Sequence, residues 1–488
     1  MNKKPNIVYI LADDMGYGDL SCLNPDSKIH TVHLDRLASE GMAFTDAHAS
    51  SAVCTPSRYS ILTGRYNWRS RLKQSVLFGY DPHLIEPGRM TVASYLKEHG
   101  YHTAMIGKWH LGWDWATTDG QPVRQDGTNV DFADPVTGGP DDCGFDYYYG
   151  HCGSLDMPPY VYVENGRVTG QPNRITGQKE KFSWWRKGPT GVDFEHADVL
   201  PNFTRRGVKY IEERAATGDP FFLYFPMPAP HTPILPTPEF QGKSRTNLYG
   251  DFCLMVDDVV GQIRNALERC GVADNTILIF TTDNGCSPQA DFQELATYGH
   301  NPSHIFRGHK ADIYEGGHRI PLLIEWPEGI KAGSVSHETV CLVDLLATCA
   351  DLMGAELPDN AGEDSVSNLP VWRGKALDRS LREATVHHSI DGSFSIRKDN
   401  WKLEMCPGSG GWSEPRPGPA CEGLPPIQLY NLDNDIGERI NVYEQCPDIV
   451  EELKTLLTHY VENGRSIPGA PQENTGGPGW EQLWWMNT

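Results

Sequence analysis

Short, almost wholly apolar runs alternate with stretches of helical character along the chain. Runs of this kind are typical of strands buried in a parallel sheet, with the helices packed on its faces. The pattern predicts an α/β fold built on a large mixed, mostly parallel sheet flanked by helices. The predicted strands are Asn6–Ala12, Tyr101–Gly107, Pro220–Pro226 and Thr276–Thr282, and the clearest helices are Thr91–Gly100 and Asp251–Gly271.

The length and charge of the chain limit the partners that it can have. Its 488 residues can bury a sizeable core and are enough for two or more domains. A formal net charge of −22 repels nucleic acid and acidic membrane surfaces, so neither is expected as a partner. No apolar run reaches the ~20 residues of a membrane span. An anionic small substrate would need a local cluster of positive groups.

The first residues, MNKKPNIVYILADD, superficially resemble a signal peptide because two lysines precede a short apolar run. They lack a small-residue cleavage site and lead directly into Asp13-Asp14, which favours a strand. We therefore expect a cytoplasmic protein as the sequence stands, or a periplasmic or secreted one if a leader has been removed.

The 12 cysteines form neither a regular framework nor a CxxC pair. This distribution is typical of reduced thiols in a chain of this length. In an exported protein Cys143 could pair with Cys152, or Cys406 with Cys421.

Each predicted strand leads into chemically reactive side chains. The carboxyl ends of parallel strands lie at one edge of a sheet, where ligands bind in open α/β folds. Asp and Asn are also common turn residues after strands, but four such endings together favour a shared site. The side chains are Asp13 and Asp14 after the first strand, Lys108 and His110 after the second, His231 after the third, and Asp283 and Asn284 after the fourth.

These residue types indicate a hard divalent cation beside an oxyanion. Carboxylate and amide oxygens suit Ca²⁺ or Mg²⁺, whereas a structural zinc site prefers thiolate and imidazole. Lysines and histidines can hold an oxyanion and move protons, although most of the 18 histidines are expected to be structural. Lys310, from the segment Arg307–Pro321, is expected to join Lys108 in the local positive cluster.

Cys54 lies at the start of a predicted helix, with Pro56 in its first turn and Gly64 after its end. A helix N-terminus favours an anion or a polarised nucleophile, and Arg58 is one turn further on the same side. Thiolate phosphatases place five residues between cysteine and arginine, and only three intervene here. A core thiol explains neither the proline nor the arginine. A metal ligand and a residue that is chemically converted stay open.

The run CTPSR, followed by LTGR, resembles the Cys-x-Pro-x-Arg signature of the type I sulfatases. The resemblance covers most of the chain and implies the alkaline-phosphatase-like fold. It also includes Asp13-Asp14 and the runs GKWHLG, PHTP, TTDNG, HKADIYEGGHRIP and LYNLDNDIGERINV.

In that family the cysteine is oxidised to formylglycine, so the resemblance implies a formylglycine-generating or sulfatase-maturing enzyme as a partner. The hydrated aldehyde attacks sulfur, and its second hydroxyl later expels sulfate, which a serine could not do. The resemblance implies one Ca²⁺ held by Asp13, Asp14, Asp283, Asn284 and the modified Cys54. It implies that Arg58 favours the ionised diol, that His231 protonates the leaving alcohol and that His110 helps the intermediate collapse. It also implies that Lys108 and Lys310 neutralise sulfate oxygens and that Ser154 hydrogen-bonds sulfate.

Resemblance to bacterial carbohydrate sulfatases in SLDMPPYVYVENGR implies a sugar sulfate substrate, such as a galactose or N-acetylgalactosamine sulfate from a glycosaminoglycan. Tryptophans in Gly112–Trp185 and near the C-terminus are candidates for sugar stacking, but core or oligomer contacts explain them as well. Two alternatives stay open: a phosphate or phosphonate ester hydrolase on the same fold, and an inactive carbohydrate-binding pseudoenzyme.

The resemblance places the catalytic domain at residues 1–375. A smaller α+β domain with a short antiparallel sheet and a helix is expected at 376–488. Within it, Met405–Gly423 is rich in Pro and Gly and is predicted to be a long loop beside the pocket. Glu315, Gly316, Gly317 and Arg319 are expected to shape their own loop rather than touch substrate.

Overall fold

The computed structural model describes residues 4–477 and 479–487. Within them the largest sheet has ten strands, and five parallel strands form its centre. Shorter strands, several of them antiparallel, extend both edges. In spatial order the strands are Ser334–Ser336, Met42–Phe44, Leu322–Glu325, Thr276–Thr282, Asn6–Ala12, Phe221–Pro226, His102–Lys108, Tyr147–His151, Val163–Glu164 and Arg167–Val168.

The helices cover both faces of this sheet. In Asn6–Ala12, Ile7, Tyr9 and Leu11 join one apolar core, and the residues between them join the core on the opposite face. This double burial explains why the central strands are apolar along their whole length. The helices are Val32–Glu40, Cys54–Thr63, Val92–Glu98, Val199–Ala215, Leu248–Arg269, Phe292–Thr297, Glu315–His318, Leu345–Met353, Leu369–Trp372 and Pro447–Glu462.

The predicted fold class is confirmed, and the predicted central elements are present. Asn6–Ala12 and Thr276–Thr282 have the predicted bounds, and the other two strands are shifted by one residue at one or both ends. The long helix begins earlier than predicted because Asn247 caps it, its side chain accepting from the Tyr249 and Gly250 N–H groups.

A second sheet of four antiparallel strands lies in the C-terminal part of the chain, with the helix Pro447–Glu462 packed on it. Its edge contacts the segment before Cys54, since Ser51 bridges His388 and the Ala52 N–H donates to the His388 carbonyl at 2.9 Å. The boundary at residue 375 stays a prediction. The four strands are Thr385–His388, Phe394–Lys398, Trp401–Glu404 and Gln428–Asn431.

Two smaller two-stranded sheets complete the structure. The pair Ala47–His48 and Val340–Cys341 is parallel and precedes the Cys54 segment. The pair Pro172–Lys179 and Trp184–Gly191 is an antiparallel hairpin.

The twelve cysteines are free thiols, so neither Cys143–Cys152 nor Cys406–Cys421 is bonded. In the part of the chain that the structure describes, the helices are all too short or too polar to cross a membrane.

A buried ion pair between Arg69 and Asp364, in which Arg69 also bonds to the C-terminal helix, generates a stability prediction. Arg69 and Asp364 are both fully buried and share two bonds of 2.8 and 2.9 Å, and Arg69 also donates to the Tyr460 carbonyl. Arg69→Met leaves the Asp364 charge buried without its cation, so we expect the free energy of unfolding to fall by about 3 kcal/mol. The measurement is the urea midpoint followed by tryptophan fluorescence.

The matched control is Arg36→Met, which removes exposed pairs with Glu40 at 2.8 Å and Glu268 at 3.2 Å. Exposed pairs contribute less than about 1 kcal/mol, so its midpoint should stay near wild type. Equal midpoints for the two variants would contradict the assignment.

Candidate active site

The ends of two neighbouring strands bring four oxygen-bearing side chains together. Because Ala12 pairs with Thr282, Asp13-Asp14 and Asp283-Asn284 leave the sheet side by side. The Asn284 amide donates to Asp14 at 2.7 Å, and the Asp14 N–H lies 3.4 Å from Asp283 Oδ1. Asp13 Oδ1 and Asn284 Oδ1 are buried without a hydrogen bond, so both are free to bind a cation. The donor set suits a hard divalent ion.

Cys54 faces this group from the first residue of its helix. The thiol sulfur and carboxylate oxygens of Asp13 and Asp283 all lie within 4.8 Å of one another. The residue is 2% exposed, and burial raises the pKa of its thiol although Lys108 and Lys310 oppose the shift. A thiol kept protonated is a poor nucleophile, which argues against the thiolate interpretation.

Arg58 is one turn further along the same helix and binds the carboxylate of Asp283. Its Nε and Nη2 donate to Asp283 Oδ2 at 3.0 and 2.7 Å, and Nη2 lies 3.7 Å from Asp13. Burial, followed by the charge of Asp13, raises the pKa of Asp283 to about 7. Burial also opposes ionisation of Asp13. The neighbouring positive charges, above all that of Lys108, nevertheless hold its pKa well below the usual range.

Two lysines bind the two aspartates that follow the first strand. Lys108, the last residue of its strand, donates to Asp13 at 2.5 Å and to the Ser154 hydroxyl at 2.8 Å. Lys310 Nζ lies 2.7 Å from the Asp14 carboxylate. Lys310 reaches the site from a loop more than 200 positions along the chain from Lys108. Together with Arg58 they form the local positive cluster that the sequence predicted.

The two predicted histidines differ in their surroundings. His231 is partly exposed, its Nδ1 donates to the Thr232 carbonyl at 2.6 Å, and its Nε2 lies 3.6 Å from Asp14. His110 is buried, and its Nε2 donates to the Leu77 carbonyl at 2.8 Å. Burial holds the pKa of His110 well below the usual range, and the positive charges of Lys108 and Arg58 lower it further. Its Nδ1 has no hydrogen bond and carries a free lone pair.

One neighbouring residue was not singled out from the sequence. His151 ends the strand Tyr147–His151 and pairs with Lys108 across the sheet. Its Nε2 is buried without a hydrogen bond, and burial holds its pKa well below the usual range. Its place at the end of a fifth parallel strand is the signal that could have identified it.

Other predicted residues lie elsewhere. Trp113 and Trp115 are buried in the apolar core, so core packing explains them. Glu315 and Arg319 are bonded to each other at 3.1 Å in a separate buried polar cluster, which agrees with a role in shaping the loop.

Comparison with known proteins gives one consistent result. The sequence profile of the Sulfatase family matches residues 5–355. An N-acetylgalactosamine-6-O-sulfatase of Bacteroides thetaiotaomicron is 34% identical over 93% of this chain and 93% of the relative. Arylsulfatase A of Homo sapiens is 31% identical over 93% of this chain and 87% of the relative.

The fold gives the same result. A structure solved in work on glycosaminoglycan metabolism by Bacteroides thetaiotaomicron superposes with a TM-score of 0.81 at 34% identity, covering 94% of this chain and 99% of that one. Members of the matched family in general use a metal ion and a formylglycine. This chain belongs to the sulfatase family and is a sulfuric ester hydrolase.

Proposed function

We propose that the protein hydrolyses the 6-O-sulfate ester of N-acetylgalactosamine, free or in glycosaminoglycan fragments. The observation that carries this proposal is the 34% identity, along 93% of both chains, to an N-acetylgalactosamine-6-O-sulfatase. A mouse N-acetylgalactosamine-6-sulfatase is also 29% identical over 96% of this chain. The cations around Cys54 support an anionic substrate despite the net charge of −22.

The proposed metal is one Ca²⁺, held by the side-chain oxygens of Asp13, Asp14, Asp283 and Asn284 with the group made from Cys54 as a further ligand. The two buried oxygens without hydrogen bonds, on Asp13 and Asn284, support this assignment. When bound, the cation supplies positive charge that polarises the oxygens next to it.

Cys54 is the proposed precursor of formylglycine. The hydrated aldehyde supplies one oxygen for attack on sulfur and a second hydroxyl whose deprotonation releases sulfate. Because Cys54 is only 2% exposed, a maturation enzyme would have to act on the CTPSR segment before the chain folds.

The remaining roles belong to side chains of this chain. Lys108, Lys310 and Ser154 are proposed to donate to sulfate oxygens, where fixed donors in a buried site stabilise developing charge. Arg58 is proposed to favour the ionised nucleophile. His231, the more accessible histidine, is proposed to protonate the leaving sugar oxygen from Nε2, because its Nδ1 hydrogen is engaged by Thr232.

His110 is proposed to accept the proton during release of sulfate. Its depressed pKa keeps the ring neutral at neutral pH, and its Nδ1 lone pair is unengaged. A neutral imidazole with a free nitrogen is the form that acts as a general base.

A substrate panel tests the proposed activity. With protein matured in its native host, we expect kcat/KM for N-acetylgalactosamine 6-sulfate to exceed that for the 4-sulfate by about 100-fold, because the pocket must place one ester at the cations. The 6-phosphate serves as the control for the phosphate-ester alternative. A faster 6-phosphate reaction would contradict the proposal, and so would failure of every sulfate ester with fully matured protein.

The release step is tested by Cys54→Ser. A serine can accept the sulfuryl group but has no second hydroxyl to expel it, so we expect at most one turnover per chain and a protein that retains sulfate. The measurements are product release at high enzyme concentration and intact protein mass. Cys270→Ser, which alters a half-buried thiol at a helix end, should keep full activity. Multiple turnovers by Cys54→Ser would contradict the mechanism.

A further inference from the structure

A histidine trio lies in a buried polar cluster that shares no residue with the candidate active site. His48 comes from the strand Ala47–His48, His318 ends the helix Glu315–His318, and His387 belongs to the small antiparallel sheet. All three are fully buried. One ring nitrogen of each lies within 4.8 Å of those of the other two.

The outer nitrogen of each ring is held by an oxygen. His48 Nε2 lies 2.8 Å from Asp46, and His318 Nε2 lies 3.1 Å from the carbonyl of Ile313. His387 Nδ1 lies 3.2 Å from the Ser395 hydroxyl. Histidines that bind metals are oriented in this way, by donating the second N–H to a carboxylate, a carbonyl or another fixed oxygen.

If the outer nitrogens of His48 and His318 carry the ring hydrogens, no hydrogen lies between the two inner nitrogens. His48 Nδ1 and His318 Nδ1 are 3.0 Å apart, and His387 Nε2 has no hydrogen bond. Burial holds the pKa of all three rings below the usual range, so they are neutral and their lone pairs are available. In the other tautomer His318 donates to His48 and accepts from Lys402 at 3.1 Å, and His387 Nε2 has no partner in either tautomer.

The nearby positive groups are already neutralised. Arg397 binds both oxygens of Asp46 at 2.8 Å, with its Nη1 also 3.1 Å from His48 Nε2, and Lys402 binds Glu438 at 2.6 Å. A carboxylate oxygen of Glu315 lies within 4.8 Å of ligand atoms of His48 and Asp46, but its Oε1 is 3.3 Å from the Lys402 ammonium. The proposed ligand set is therefore the three imidazoles.

We propose that His48, His318 and His387 bind one zinc-class divalent transition metal, separate from the oxygen-ligand site of the sulfatase reaction. Three imidazole nitrogens suit Zn²⁺ and its neighbours rather than Ca²⁺ or Mg²⁺. The rings of His318 and His387 stack with centroids 3.8 Å apart, so coordination requires one ring to tilt until both lone pairs meet the ion.

The metal would fasten the small sheet to the segment that carries Cys54. His48 lies six positions before Cys54, and His388, next to His387, bridges Ser51. The proposal does not depend on which ester the protein hydrolyses, because it uses none of the residues assigned to that reaction.

The test uses the full chain, stripped with a chelator, saturated with Ca²⁺ and then titrated with Zn²⁺. Elemental analysis after desalting should give one zinc per chain. His387→Asn should weaken zinc binding by about 100-fold or more, since loss of an outer partner alone costs 10–100-fold. His388→Asn is the matched control because His388 is equally buried on the same strand but lies outside the trio. It should retain the metal.

Co²⁺ keeps the test decisive if His387→Asn does not fold. Wild-type protein with Co²⁺ should show the intense visible bands of a tetrahedral ion, and His387→Cys should add a thiolate-to-cobalt charge-transfer band. The proposal is overturned if Ca²⁺-saturated wild type retains no zinc and shows no such bands, or if folded His387→Asn binds zinc as tightly as wild type. Either result would leave a hydrogen-bonded chain from Lys402 through His318 and His48 to Asp46, with His387 stacked beside it.

Discussion

Asp13 and Asp283 leave neighbouring parallel strands at the same level and are fully buried, so two carboxylates share a space from which water is excluded. Such a pair persists only when positive groups surround it. Arg58 and Lys108 supply two of these charges, and the proposed calcium ion supplies the third. The helix that begins at Cys54 is thereby fixed against the sheet, with the thiol beside the carboxylates. In the proposed mechanism, substrate binding depends on this arrangement.

The same segment is held from its other side by the small sheet. Ser51 and Ala52 bond to His388, and His387 of the histidine trio is the preceding residue on the same strand. The chain around CTPSR therefore contacts the cluster of oxygen ligands and is linked through one strand to the cluster of imidazoles. In the proposed account the first performs the chemistry and the second fastens the C-terminal sheet to it.

Much of the fold and of the site could be predicted from the sequence, because both depend on local patterns. Apolar runs mark the central strands, and parallel strands bring their carboxyl ends to one edge, which accounts for the meeting of Asp13 with Asp283. The histidine trio could not be predicted, since His48 and His387 are brought together by the packing of two sheets, which no local pattern records. His151 was missed although the same strand-end rule applies to it. Trp113 and Trp115 show that a stretch rich in aromatic residues does not by itself distinguish a sugar-binding surface from the apolar core.

The central claim is that Cys54 is a precursor and that the working group is an aldehyde made from it. Peptide mass spectrometry across Ser51–Arg58, on active protein purified from its native host, tests this claim most directly. We expect a peptide in which the –CH2SH side chain of Cys54 has become –CHO, with the corresponding mass. This aldehyde should react with a hydrazide probe. Fully active protein that contains only unmodified cysteine at position 54 would contradict it.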